Sequence, residues 1–260
     1  MFRSLMTALL LFFSNYVYSE EFEFVDSVFC PFICDPKVDG KEGFIIDILR
    51  DALATKNHTF NFTIVPYKRA LSMVRSGKAH ALPAIYFEDA PDLIVGKSVI
   101  AIGNNHFFVR PDFDWKYTSE DSWEEVSLGV IDGYTYSHQK FDQYLAKQKT
   151  IPNSKVMFIS GTNTYERLLT LLTTKRVDAI LDDNAYIQYQ MNGFSNKTNL
   201  HPLPQVMSAG ALSKGQHVVA YSPKHLEIAE TLIEIIDPFV IDLYATGKIK
   251  TYLSPYGITE

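Results

Sequence analysis

A helix followed by a strand occurs twice in this chain, in two ungapped stretches whose starts lie 98 positions apart. YKRALSMVRSGKAHALPAI begins at Tyr67, and YERLLTLLTTKRVDAILDD begins at Tyr165. Tyr67/Tyr165, Arg69/Arg167, Leu71/Leu169 and Ala81/Ala179 are identical, and Lys78/Arg176 is conservative. In both, apolar residues recur at helical spacing and then close up into a short apolar run suited to a buried strand. A generic helix–strand pattern gives one account of the echo; two lobes of like construction, each carrying one copy, give the other. At 260 residues the chain has room for one large domain or for two lobes of roughly 100–130 residues each.

The rest of the chain keeps the same alternation. Phe22-Glu23-Phe24-Val25 alternates as a strand does, and a Cys/Pro/Gly loop follows as far as Gly43. FIIDILRDALA (44–54) carries apolar residues at helical spacing, and residues 60–65 form a strand ended by Pro66. Tyr67 to Arg75 predicts a helix stopped by Ser76-Gly77, and Ala79 to Ile85 a buried strand. Further on, strands are expected at 126–130 and 156–159. Helices are expected from Tyr134 through Leu145, from the Gly161–Thr164 cap to Lys175, and from Leu226 to Tyr244. Alternation of this kind defines an α/β class. There is no low-complexity linker, so two lobes would be joined by ordered crossovers, near 107–109 and 206–211.

The first residues read as an export signal. Met1-Phe2-Arg3 gives a positive start, residues 5–13 are almost wholly apolar, and Val17-Tyr18-Ser19 suits cleavage between Ser19 and Glu20. Nine apolar residues are too few to span a bilayer of about 30 Å as a helix, and no later run approaches the roughly 20 required. In an exported chain, Cys30 and Cys34 are expected to form a short-loop disulfide. Two thiols with no nearby histidine leave a metal shell incomplete, and a catalytic dithiol is more typically spaced Cys-x-x-Cys. The formal charge of −6 comes with no basic stripe, which argues against nucleic acid as a partner. With 18 Phe, 15 Tyr and 2 Trp the aromatic content is high; many of these can be core or cleft lining, and the excess hints at small-molecule contacts. The seven histidines are scattered with no metal-ligand pair, and neither a nucleophile elbow nor a phosphate loop is present, so neither metal nor cofactor is expected. Asn57, Asn61 and Asn196 begin glycosylation sequons, which a bacterial origin would leave unused.

Taken in order, the signal segment, the CPF loop, GFIIDILRDAL, PYKRALSMVRSGKAHAL, LGVIDGYTYS, KRVDAILDDNAYIQY and the closing LYATGKIKTYLSPYG resemble the family 3 solute-binding proteins. These are periplasmic components of amino-acid-type ABC importers. The resemblance covers nearly the whole mature chain and rests on the ordered set, since no single motif in it is specific. It implies a two-lobed periplasmic binding protein type 2 fold, each lobe a mixed sheet flanked by helices. Two hinge strands would join the lobes, with ligand held between them. The implied organisation is a signal peptide at 1–19, lobe 1 from 20–108 and 207–260, and lobe 2 from 109–206. A monomer that closes on ligand and docks on an inner-membrane permease is expected, with no catalysis.

Carried over residue by residue, the resemblance nominates a ligand site. In amino-acid binders of the family an Arg after the first-lobe strand grips the ligand carboxylate. Here Ala90 stands at that place, with Arg69 and Arg110 as possible substitutes. Gly133-Tyr134-Thr135 matches the second-lobe helix start that offers N–H groups to anions. Asp178-Ala179-Ile180-Leu181-Asp182-Asp183 matches the motif of the amino-group acceptor and nominates Asp183, which would otherwise cap the following helix. Asp182 reads more simply as cap or surface. Phe32 resembles the aromatic that packs on ligand and would serve equally as a buried staple. Tyr67 would line the cleft or seat its helix, Tyr86 ends a strand at the expected cleft edge, Tyr134 would line the cleft or be a surface aromatic, and Thr135 would otherwise be an N-cap. Tyr136 is an aromatic beside them. Two rival readings share the scaffold: a dehydratase-type periplasmic enzyme, with Glu88 or Asp182 as general acid or base, and a ligand-sensing module.

Overall fold

A computed structural model describes residues 21–161, 163–191 and 205–258. The signal segment and the Asn196 sequon lie outside the described residues. The chain opens with β1 (Glu21–Asp26), whose Phe22 and Phe24 are buried. The cysteine loop holds one turn, α1 (Pro36–Asp39), and leads to α2 (Phe44–Ala54), which buries the Ile45, Ile48, Leu49 and Ala52 face that its spacing predicts. Next come β2 (Thr59–Ile64), α3 (Tyr67–Ser76) and β3 (Ala81–Tyr86). Gly77 closes α3 in the left-handed conformation at φ +76°, its N–H reaching Met73 and Val74 carbonyls. The short β4 (Ile94–Val95) and the long β5 (Ala101–Val109) follow.

The middle of the chain supplies β6 (Leu128–Ile131), α4 (Gln139–Gln148), β7 (Val156–Ile159), α5 (Thr164–Thr173), β8 (Ala179–Asp183) and α6 (Asn184–Met191). β9 (Met207–Tyr221), α7 (Leu226–Ala245) and α8 (Ile249–Leu253) complete it. The helix expected from Tyr134 starts instead at Gln139. The Asp142 carboxylate accepts the N–H groups of Tyr136 (2.9 Å) and His138 (3.3 Å), so residues 134–138 stay in a turn and the helix begins behind them. The C-terminal tail, which carries only turn signals in sequence, folds as α8 and a further short turn.

Nine strands among the described residues lie in the order β2-β1-β3-β9-β5-β8-β6-β7, with β4 on β9. β2, β1 and β3 are mutually parallel, and so are β7, β6 and β8. The two parallel halves meet through the antiparallel pair β9–β5, in which Ala101 to Val109 pairs with His217 back to Met207. The crossovers expected near 107–109 and 206–211 are thus parts of two long strands that pair with each other.

The repeated helix–strand unit is α3–β3 in one half and α5–β8 in the other. In both, the strand lies directly beside the linking pair: β3 on β9 and β8 on β5. Each half has its own apolar core. Leu71, Val74, Leu82 and Ile85 pack together in the first, and Leu168, Leu169, Leu172 and Ile180 in the second. The antiparallel centre and helix-covered parallel wings put the C-terminal ends of β1, β3, β6 and β8 around one crevice, where open α/β sheets bind ligands.

Candidate functional site

The crevice holds two cavities. The inner one, about 40 Å³, is walled by the strand ends and by both linking strands; the outer one, about 320 Å³, shares Ser27, Tyr67 and Tyr134 with it and opens between α3 and α5.

The disulfide loop forms one wall of the inner cavity. Cys30 and Cys34 are bonded to each other, and the backbones of Phe29 and Ile33 exchange two hydrogen bonds of 2.7 and 3.0 Å. This small ring turns Phe29 and Ile33 toward the cavity. Phe32, the aromatic nominated from sequence, is buried behind Phe29, with ring centroids 4.7 Å apart, and does not line the cavity. Gly43 lets the loop sit this close: a Cβ there would lie 2.4 Å from the Phe32 carbonyl oxygen, and its φ is +99°.

Four carboxylates stand at the strand ends. Asp26 closes β1 and accepts the N–H groups of Ser27 (2.7 Å) and Ala84 (3.3 Å); burial pushes it up to about 8. Asp89 follows β3. Its Oδ1 accepts both the N–H (3.1 Å) and the hydroxyl of Thr135, and its Oδ2 accepts the Tyr67 hydroxyl; burial raises it to about 6 against those bonds. Asp182 and Asp183 end β8, where consecutive side chains point to opposite faces. Asp183 turns away from the cavity. Its Oδ2 takes the Asn104 N–H at 2.6 Å, and its Oδ1 takes those of Ala185 (2.8 Å) and Tyr186 (3.2 Å), capping α6; burial still raises it to about 6. Asp182 lines the cavity, only 2% exposed. Its Oδ1 accepts the Asp183 N–H at 2.8 Å, its Oδ2 has no partner, and burial raises it to about 8.

The remaining wall is aromatic. Tyr86 stacks on His217 with ring centroids 4.2 Å apart, and Tyr67 meets Tyr134 edge-on at 5.0 Å. His217 comes from β9, has no partner at either ring nitrogen, and is driven down to about 3 by burial, so it stands neutral. Tyr136 is fully buried, its hydroxyl accepting the Ile131 N–H at 3.0 Å. Burial raises the Tyr67, Tyr86 and Tyr134 hydroxyls above the ordinary phenol range, so all three stay protonated as donors.

Of the residues nominated from sequence, the structure brings Tyr67, Tyr86, Tyr134, Thr135 and Asp182 to the inner cavity and leaves Asp183, Phe32 and Arg69 off it. Arg69 is exposed on α3. Arg110 is buried elsewhere, its guanidinium donating to the Leu172 and Val177 carbonyls, each at 2.9 Å. Glu88 is exposed, and Ala90 is buried in the first-half core. The structure adds Asp26, Phe29, Asp89, Asn105 and His217. Asp89 immediately precedes Ala90, the place where the sequence resemblance implies an arginine, and that adjacency is the one sequence signal that pointed to it.

Two parallel wings on a crossed antiparallel pair, with a crevice at the strand ends, are the architecture of the periplasmic-binding-protein fold. Solved structures of that fold match almost the whole chain. An amino acid ABC transporter substrate-binding protein from Streptococcus pneumoniae bound to L-arginine shares 19% identity, with TM-score 0.66 over 91% of this chain and 94% of that one. A mutant arginine-binding protein from T. maritima shares 17%, with TM-score 0.69 over 91% and 94%. A histidine kinase sensor domain with similarity to periplasmic binding proteins shares 15%, with TM-score 0.69 over 92% and 95%. No family model and no curated protein matches the chain.

Proposed function

We propose that the chain is a periplasmic solute-binding protein of the family 3 type. It holds a small polar, amino-acid-like or related ligand between lobe 1 (20–108 with 207–260) and lobe 2 (109–206), without catalysis, and delivers it to an ABC import permease. Export would follow cleavage between Ser19 and Glu20. The observation that carries this reading is the crevice itself: a cavity at the strand ends of both halves, lined by aromatic side chains and a few convergent polar groups. The fold of the amino-acid-binding structures supports it, as does the absence among the described residues of any helix long and apolar enough to cross a membrane.

The site would be formed by Asp182, Tyr67, Tyr86, Tyr134 and Thr135, with Phe29 in the role the sequence gives to Phe32. The test is to incubate the protein with a metabolite mixture, desalt it and record its native mass. One unchanged small molecule retained per chain is the expected result. Turnover of a component into product would instead favour the dehydratase-type reading, and neither retention nor product would refute both. Sequencing the N-terminus of the protein from a periplasmic fraction tests export.

A further inference from the structure

The anion position of this cleft is filled by the protein itself. The Thr135 N–H, the Thr135 hydroxyl and the Tyr67 hydroxyl all converge on Asp89, so the donors that would greet a ligand carboxylate already hold one. No lysine or arginine among the described residues lines the inner cavity. Its only basic side chain is His217, which burial keeps neutral. A free carboxylate entering here would face Asp26, Asp89 and Asp182 with no cation to pair with.

The opposite need is visible on the other wall. Asp182 is 2% exposed and lines the cavity, and no donor reaches its Oδ2. In the empty cleft this buried carboxyl holds its proton near neutral pH; a charged ammonium beside it favours the ionised form and gives its bare oxygen a strong donor. Phe29, Tyr86 and Tyr134 line the same cavity, and aromatic rings attract a desolvated cation that meets their faces. The inner cavity has space for a head group only, while the outer one, sharing Tyr67 and Tyr134, has space for a body.

We propose that the ligand is a primary amine lacking a carboxylate, its ammonium head on Asp182 and its body directed past Tyr67 and Tyr134 into the outer cavity, while Asp89 stands in the place of the missing ligand carboxylate. This rests on the solute-binding reading and narrows it.

The experiment compares matched pairs on the full chain by calorimetry and thermal shift: L-lysine with cadaverine, L-arginine with agmatine, and L-phenylalanine with phenethylamine. In at least one pair the amine should bind about tenfold tighter than its parent amino acid. Asp182→Asn should weaken that amine about tenfold or more, with an unchanged circular dichroism spectrum. Asp89→Ala, which frees the Thr135 and Tyr67 donors, should narrow the gap within the pair by improving the amino acid. Amino acids binding as tightly as their amines, or no amine binding at all, overturns the proposal on the wild-type protein alone. Full amine affinity in Asp182→Asn also overturns it. None of these outcomes touches the solute-binding reading, which the retention of a different molecule would uphold.

Discussion

The two helix–strand units, α3–β3 and α5–β8, share one backbone plan and differ where their strands end. In the gapless alignment Ala84 stands opposite Asp182 and Ile85 opposite Asp183. Ala84 gives its N–H to Asp26 of the neighbouring strand and Ile85 packs in the core, and at the cavity both offer only apolar side chains. Asp182 brings a carboxyl to the cavity, and Asp183 ties β8 to β5 and to α6. Core spacing sets the shared topology and leaves the two terminal positions free to differ. The chemical difference between the two units therefore sits in their strand-end residues and not in the scaffold.

The largest expected effect is on the apolar side of this pairing. Ile85→Ala should lower unfolding free energy by about 3 kcal/mol in urea titrations, because a buried side chain leaves a cavity. Asp183→Ala should lower it by about 2 kcal/mol through lost capping of α6 and a released Asn104 N–H; an unchanged midpoint would remove Asp183 from its structural role.

Asp182→Ala, which copies the first unit into the second, should act mainly through pH. Asp26 and Asp182 are raised to about 8, and Asp89 and Asp183 to about 6. A carboxyl raised in the folded state keeps its proton where the unfolded chain has already released it. The stability it contributes is therefore full below about pH 4 and is lost as pH climbs toward 8. His217, lowered to about 3, opposes this between about pH 3 and 6.5, as one group against four. Melting temperature should fall from pH 5 to pH 8 in the ligand-free protein, and Asp182→Ala should recover about 1 kcal/mol of that fall at pH 8. A variant with the parental pH profile would show that Asp182 titrates normally.

The smallest effect belongs to an ion pair between the two halves of the sheet. Lys68 of α3 pairs with Asp132 after β6, but its side chain is largely exposed and Asp132 keeps Lys149 at 2.7 Å. Lys68→Ala should cost less than about 0.5 kcal/mol.

Most elements were legible in the sequence because their apolar runs and stop signals are local. α2 and α3 follow from helical spacing and Gly77, and β7 from four residues in a row. The choice between Asp182 and Asp183 was not legible. Adjacent strand residues face opposite ways, and only the packing of Leu181 on one side of the sheet and Ile180 on the other fixes which carboxyl meets the cavity. The same holds for Phe29 and Phe32, whose directions are set by the five-residue loop that the disulfide closes. Asp26, Asn105 and His217 converge on the site from three strands, a tertiary fact with no short-range trace.

The Asp89–Thr135 contact has a kinetic side as well. A carboxylate fixed to the chain behaves as a tethered competitor, present at an effective concentration of at least millimolar order whatever the surroundings contain. Any dissolved acid must outcompete it, free amino acids included. The cleft thus carries its own discrimination against them, set by a covalent leash and independent of expression level or dilution.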